Sequence, residues 1–191
     1  MAFDHRKYVA FKPVAKTDRR WPDKVIETAP TWCAVDLRDG NQALVKPMSG
    51  AQKTRMFELL VKLGFKEIEI GFPAASQPDF DFCRKLIEED RIPEDVKIQV
   101  LTQARQELIE RTFDSLRGAK KAIVHIYNAT SPTFRQQVFN VDKEGCKKIA
   151  AQAAQWVRDC AAAQPDTAAS FHNSPEPFTA TTNDFTTDGT A

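Results

Sequence analysis

The sequence predicts an α/β fold of the (βα)8, or TIM-barrel, type, of which it holds about the first four to five βα units. Three observations lead there. From Trp32 onward, short β-rich runs alternate with longer runs of helical period, the pattern of βαβ units in a parallel sheet. The β-rich runs begin roughly one βα unit apart. Polar residues able to do chemistry sit just after them, where the loops of such a fold converge on one face. A closed eight-stranded barrel takes about 250 residues, so 191 are expected to give part of one.

The elements follow in order. Residues 1–30 carry Pro13, Pro22 and Pro30 among scattered aromatics and read as an extended arm, with a partial barrel expected over 31–178. Strands are predicted at 32–37, 67–71, 97–101, 121–126 and, more weakly, 168–173. In the first helix Met56, Leu59, Leu60 and Leu63 recur at the spacing of a buried stripe. Ser49 and Gln52 fit a capping box at its start, and Gly64 stands where a left-handed stop belongs. Ser76 and Pro78 open the second, whose apolar face is Phe80, Cys83, Leu86 and Ile87. Leu108, Ile109, Thr112, Phe113 and Leu116 give the third its face. Asp142 caps the fourth, which lines up Cys146, Ile149, Ala150, Ala153, Val157 and Cys160. Residues 179–191, rich in threonine, break the alternation where a fifth helix is due and read as an irregular tail, truncated or altered.

Charged residues make up 28% of the chain and the net charge is only +1, which favours small-molecule chemistry over a nucleic-acid or membrane partner. Cys33, Cys83, Cys146 and Cys160 form no close pair, so neither a zinc knuckle nor a disulfide framework is supported. With no long apolar run near the start, a soluble cytoplasmic protein is expected.

The strand ends hold Arg38-Asp39, Glu69, Thr102, His125, and Ser174-Pro175-Glu176. A carboxylate such as Asp39 can hold a hard divalent cation, and a neighbouring guanidinium can stabilise an oxyanion or grip a carboxylate. Each has a plainer reading. Arg-Asp neighbours are common on surfaces, Glu69 fits a buried structural acid as well as a site residue, and His125 fits a satisfied core histidine.

The run from Trp32 to Leu44, containing Asp36-Leu37-Arg38-Asp39-Gly40-Asn41-Gln42, resembles the signature of 2-isopropylmalate synthases, within the wider group of metal-dependent Claisen-condensing barrels. So do Glu67-Ile68-Glu69-Ile70-Gly71-Phe72-Pro73-Ala74-Ala75-Ser76-Gln77, Val100-Leu101-Thr102-Gln103 and the stretch from Ile123 to Ser131, in the family's order. The likeness covers about residues 20 to 178 and includes the Pro-rich lead-in of the long form. It implies condensation of acetyl-CoA with 2-oxoisovalerate, followed by thioester hydrolysis to 2-isopropylmalate on the way to leucine. It further implies a divalent metal (Mg, Mn or Zn) on Asp39, and Arg38 and Glu176 as catalytic groups. Arg38, His125, Ser174, Glu69 and Thr102 would contact substrate, and the full-length enzyme would be a homodimer.

The departures are as informative. The family's later His-x-His metal pair does not follow residue 131, and the family's aromatic-acid-aromatic pattern before Ser-Pro-Glu becomes Phe171-His172-Asn173. The chain is therefore expected to bind metal weakly and to turn over little by itself. The alternatives are a homocitrate or citramalate synthase-like acyltransferase, which the Asn41-Gln42 pair and the Gly-Phe-Pro-Ala-Ala-Ser run disfavour, and a non-catalytic fragment that pairs with a full-length subunit. A partial barrel also leaves a strand edge and apolar helix faces uncovered, so oligomers or poor solubility are expected.

Overall fold

Helices start where a side chain can satisfy the unpaired N–H groups of the first turn, and this sequence supplies such a group at each long helix but one. In the computed structural model, which describes residues 28–176, Ser49 and Gln52 form a complete capping box at the start of α1 (Gly50–Leu63). Ser76 accepts from the Asp79 N–H at α2 (Gln77–Glu88), and Asp142 from the Gly145 N–H at α5 (Lys143–Ala162). The exception is α3 (Gln106–Leu116), whose cap residue Arg105 makes no such bond. Gly64 ends α1 at φ 96°, the left-handed stop that glycine adopts without a Cβ penalty. The chain divides between Pro30 and Thr31, and every element here belongs to the second unit. The expected arm falls outside the described residues except for 28–30, as does the tail from 179 onward.

Five strands, β1 (Cys33–Ala34), β2 (Glu67–Gly71), β3 (Lys97–Gln103), β4 (Lys121–Ala129) and β5 (Ala168–Glu176), form one sheet in sequence order, all parallel. Ile68, Ile70, Ile98, Val100, Ala122, Val124 and Ile126 pack beneath the helices against Phe57, Leu60, Phe82, Leu86, Ile109, Phe113, Leu116 and Val157 in one core. Side chains alternate along a strand, so Glu69, Gln99, Leu101, His125 and Tyr127 belong to the opposite face. That division places the site.

Several boundaries differ from expectation. The first strand stops at Ala34, because Val35 (φ −112°, ψ 11°) leaves the extended region and Asp36–Gly40 winds into a single π-helical turn. β3, β4 and β5 run further than expected, so Thr102, Ser174 and Glu176 lie within strands, as His125 was already expected to. A short helix, α4 (Pro132–Phe134), and a π-helical turn over Arg135–Phe139 follow β4, neither expected; Asn140 ends the turn at φ 51°.

The apolar stripe of α1 is also corrected. Leu59 and Leu63 are exposed, and the buried face is Lys53, Thr54, Phe57 and Leu60. Lys53 decides the rotation. Its ammonium pairs with Asp79 Oδ1 at 2.5 Å and donates to the Ile70 carbonyl at 3.3 Å, drawing its own side of the helix onto the sheet. In α2 the buried aromatic is Phe82; Phe80 is half-buried under Arg111, whose guanidinium lies 4.8 Å from the ring centre. α3 buries Ile109, Thr112, Phe113 and Leu116 as expected, and α5 buries Cys146, Ala153 and Val157.

Candidate active site

The π-helical turn after β1 lifts Arg38 across the end of the sheet. Its Nε donates to Glu69 Oε1 and its Nη1 to Asp39 Oδ1, so one guanidinium bridges a fully buried acid and a half-exposed one. The second oxygen of Glu69 accepts from Gln99 Nε2 and lies 2.8 Å from His125 Nδ1. On the far side of the ring, His125 Nε2 is 2.7 Å from Ser174 Oγ. Three neighbouring strands and the π-helical turn thus meet on one carboxylate, and a fourth strand joins through the imidazole.

Charge explains why the carboxylate is tolerated. Burial pushes Glu69 upward, and hydrogen bonds from His125, Gln99 and Arg38, with the charge of Arg38, outweigh it and hold the acid below the usual carboxylate range. An ionised Glu69 accepts and cannot donate, so the proton between it and His125 resides on Nδ1. That assignment makes the 3.3 Å approach of Gln99 Nε2 to the same nitrogen a contact between two donors and leaves Nε2 an acceptor for the Ser174 hydroxyl. Beside the cluster, burial followed by the charges of Glu69 and Glu67 pushes the Cys33 thiol up to about 11, which makes it a poor nucleophile at neutral pH.

Neighbouring groups stiffen the mouth. Gln103 Nε2 donates to Tyr127 Oη at 2.5 Å, and the Phe72 ring meets Tyr127 edge-on with centroids 6.4 Å apart. Asn41 Oδ1 accepts the Met48 N–H at 2.7 Å, which ties down the loop between the π-helical turn and α1. Gly71, at φ 155°, leaves room that a Cβ would take from the Asp79 carboxyl, only 2.7 Å away.

Of the residues singled out from the sequence, the structure gathers Arg38, Asp39, Glu69, His125 and Ser174. Thr102 is corrected: it is fully buried and alternates with Ile98 and Val100 toward the helices, away from the cluster. Glu176 is exposed at the end of β5, and among the described residues no hydrogen bond or ion pair involves its carboxylate. Sequence reasoning missed Gln99 and Lys53. A polar residue set between Ile98 and Val100, opposite Glu69 in register, was the available sign of Gln99. A lysine four residues before Phe57 was the sign of Lys53.

The HMGL-like family profile matches residues 29–189, most of the chain. The chain belongs to the HMGL-like family. Among relatives, the 2-isopropylmalate synthase of Alcanivorax borkumensis is 71% identical over 185 residues, 97% of this chain and 33% of its own length. Those of Azotobacter vinelandii and Parvibaculum lavamentivorans are each 59% identical, covering 94% of this chain and 32% of their own length. The chain thus spans about a third of the curated relatives it matches. Its five parallel strands form half of the HMGL-like barrel, which agrees with the fold class read from the sequence.

In this HMGL-like site, Arg38 can bind an anionic oxygen, and the Glu69-His125-Ser174 chain can carry a proton. Among the described residues no group of three His, Cys, Asp or Glu side chains is placed to hold a metal ion. Asp39 offers one carboxylate, and that carboxylate is paired with Arg38. The described residues therefore do not by themselves fit a divalent-metal site. No helix among them is long and apolar enough to cross a membrane.

Proposed function

We propose that this chain supplies the amino-terminal part of a 2-isopropylmalate synthase, cytoplasmic and homodimeric at full length, that joins the acetyl group of acetyl-CoA to 2-oxoisovalerate. The observation that carries the reading is Arg38, fixed between Glu69 and Asp39 at the sheet end. A guanidinium held from two sides is already oriented for the negative charge that develops on an attacked keto oxygen, and little reorganisation is needed when it appears. His125 and Ser174 line the same face and would hold the keto acid's polar end. Asp39 would give a divalent metal one oxygen ligand, with other donors coming from outside the described residues. Glu176 would act as a catalytic group from the end of β5; Thr102, on the helix side, falls out of the proposal.

The test is a chimera in which this chain replaces the matching third of the Alcanivorax relative. Release of CoA from acetyl-CoA with 2-oxoisovalerate and added metal is expected, and Arg38→Ala should lower kcat about a hundredfold, the scale of losing one oxyanion donor. Turnover with a different keto acid and none with this one would overturn the substrate assignment. The 191-residue chain by itself is expected to release CoA far more slowly than the chimera.

A further inference from the structure

The three side chains on one line, Ser174, His125 and Glu69, carry more than substrate contact. A nucleophile, a base and an orienting acid stand in hydrogen-bond reach of one another: 2.7 Å from Ser174 Oγ to His125 Nε2 and 2.8 Å from His125 Nδ1 to Glu69 Oε2. Those are the mutual distances an activated hydroxyl needs. The acid is fully buried and fixed by Arg38 and Gln99, so it selects one tautomer of the ring. Ser174 is half-buried on the sheet face that the helices leave uncovered, where a small acyl compound can reach it.

We propose that Ser174 is an acyl-accepting nucleophile, with His125 as its base and Glu69 as a positioning residue, and that the site reacts with activated acyl esters and thioesters without a metal. In the first step Ser174 Oγ bonds to the acyl carbon while its proton passes to His125 Nε2. The bond to the alcohol or thiol leaving group then breaks, and that group departs with the proton. In the second, water gives a proton to the same nitrogen as its oxygen bonds to the acyl carbon; the bond from that carbon to Ser174 Oγ then breaks, Oγ takes the proton back from Nε2, and the carboxylic acid leaves. Neither step changes an oxidation state. The step is distinct from the metal-dependent condensation, since it uses neither Asp39 nor a cation, although both draw on His125 and Ser174.

The experiment uses the full 191-residue chain, a metal chelator throughout and p-nitrophenyl acetate as acyl donor. Nitrophenolate release and peptide mass mapping should find an acetyl adduct on Ser174. Ser174→Ala should remove it, and His125→Gln should slow its formation roughly a hundredfold, the scale of general-base assistance. Ser170→Ala, an exposed serine of the same strand, should leave it unchanged. No adduct on Ser174, or an equal rate in His125→Gln, would overturn the proposal. The role of Glu69 is read separately from ring 15N shifts, which should show the proton on Nδ1 in the wild-type chain and a loss of that preference in Glu69→Gln. A proton resident on Nε2 in the wild-type chain would remove the base and sink the assignment. Because a chelator is present, failure here leaves the condensation reading intact, and failure of the chimera leaves this one intact.

Discussion

Glu69 keeps its charge in a place where burial alone would remove it. Arg38, Gln99 and His125 all donate to it, and together they hold its pKa below the ordinary glutamate value. Linkage then fixes the sign. The unfolded glutamate takes up its proton near pH 4.3, and the folded one does so only at lower pH. The stabilisation is complete above that value and is lost as pH falls through the folded pKa. Urea titrations from neutral pH downward should show the wild-type chain losing stability more steeply below about pH 4.3 than Glu69→Gln. At neutral pH the same substitution leaves Arg38 short of a buried partner and should cost roughly 3 kcal/mol. A variant of unchanged stability would mean the ion pair is incidental.

At the scale of elements, one polar contact locks α1, β2 and α2 together. Lys53 is 4% exposed; it reaches Asp79 at the start of α2 and the Ile70 carbonyl of β2, while Asp79 Oδ2 accepts the Phe72 N–H at 2.9 Å. Removing one partner strands the other, so Lys53→Met should destabilise by roughly 3 kcal/mol. Gly71→Ala forces a Cβ against the same carboxyl at a backbone angle that disfavours side chains, and it should disturb the same lock. Their combined cost in a double-mutant cycle should therefore fall short of the sum, whereas strict additivity would show two unrelated defects. Helix capping is local by comparison. Asp142→Ala removes the acceptor for the Gly145 N–H at 2.7 Å and should cost about 1 kcal/mol by the same unfolding measurement.

Across the whole half-barrel, the weak place is its open side. Among the described residues β5 pairs with β4 alone, over nine positions, and Phe171 on it is exposed. Unpaired N–H and C=O groups beside exposed apolar side chains invite further strands. Sedimentation velocity of the isolated chain should reveal association that grows with concentration, and Phe171→Lys should reduce it. A monomer at every concentration would show that the β5 edge is covered.

Much of this was legible in the sequence because local rules wrote it. The Ser49, Ser76 and Asp142 caps, the Gly64 stop and the strand-helix alternation each depend on neighbours a few residues away. The family resemblance lay in contiguous motifs, and it brought Arg38, Asp39, His125 and Ser174 forward. The tertiary structure alone decided which face each side chain takes. It turned Thr102 to the helices, turned α1 by the pull of Lys53 on Asp79, and brought Glu69, Gln99, His125 and Ser174 to one point. Strand register and helix rotation are set by contacts between residues dozens of positions apart, and a single chain read in order carries no distance between them.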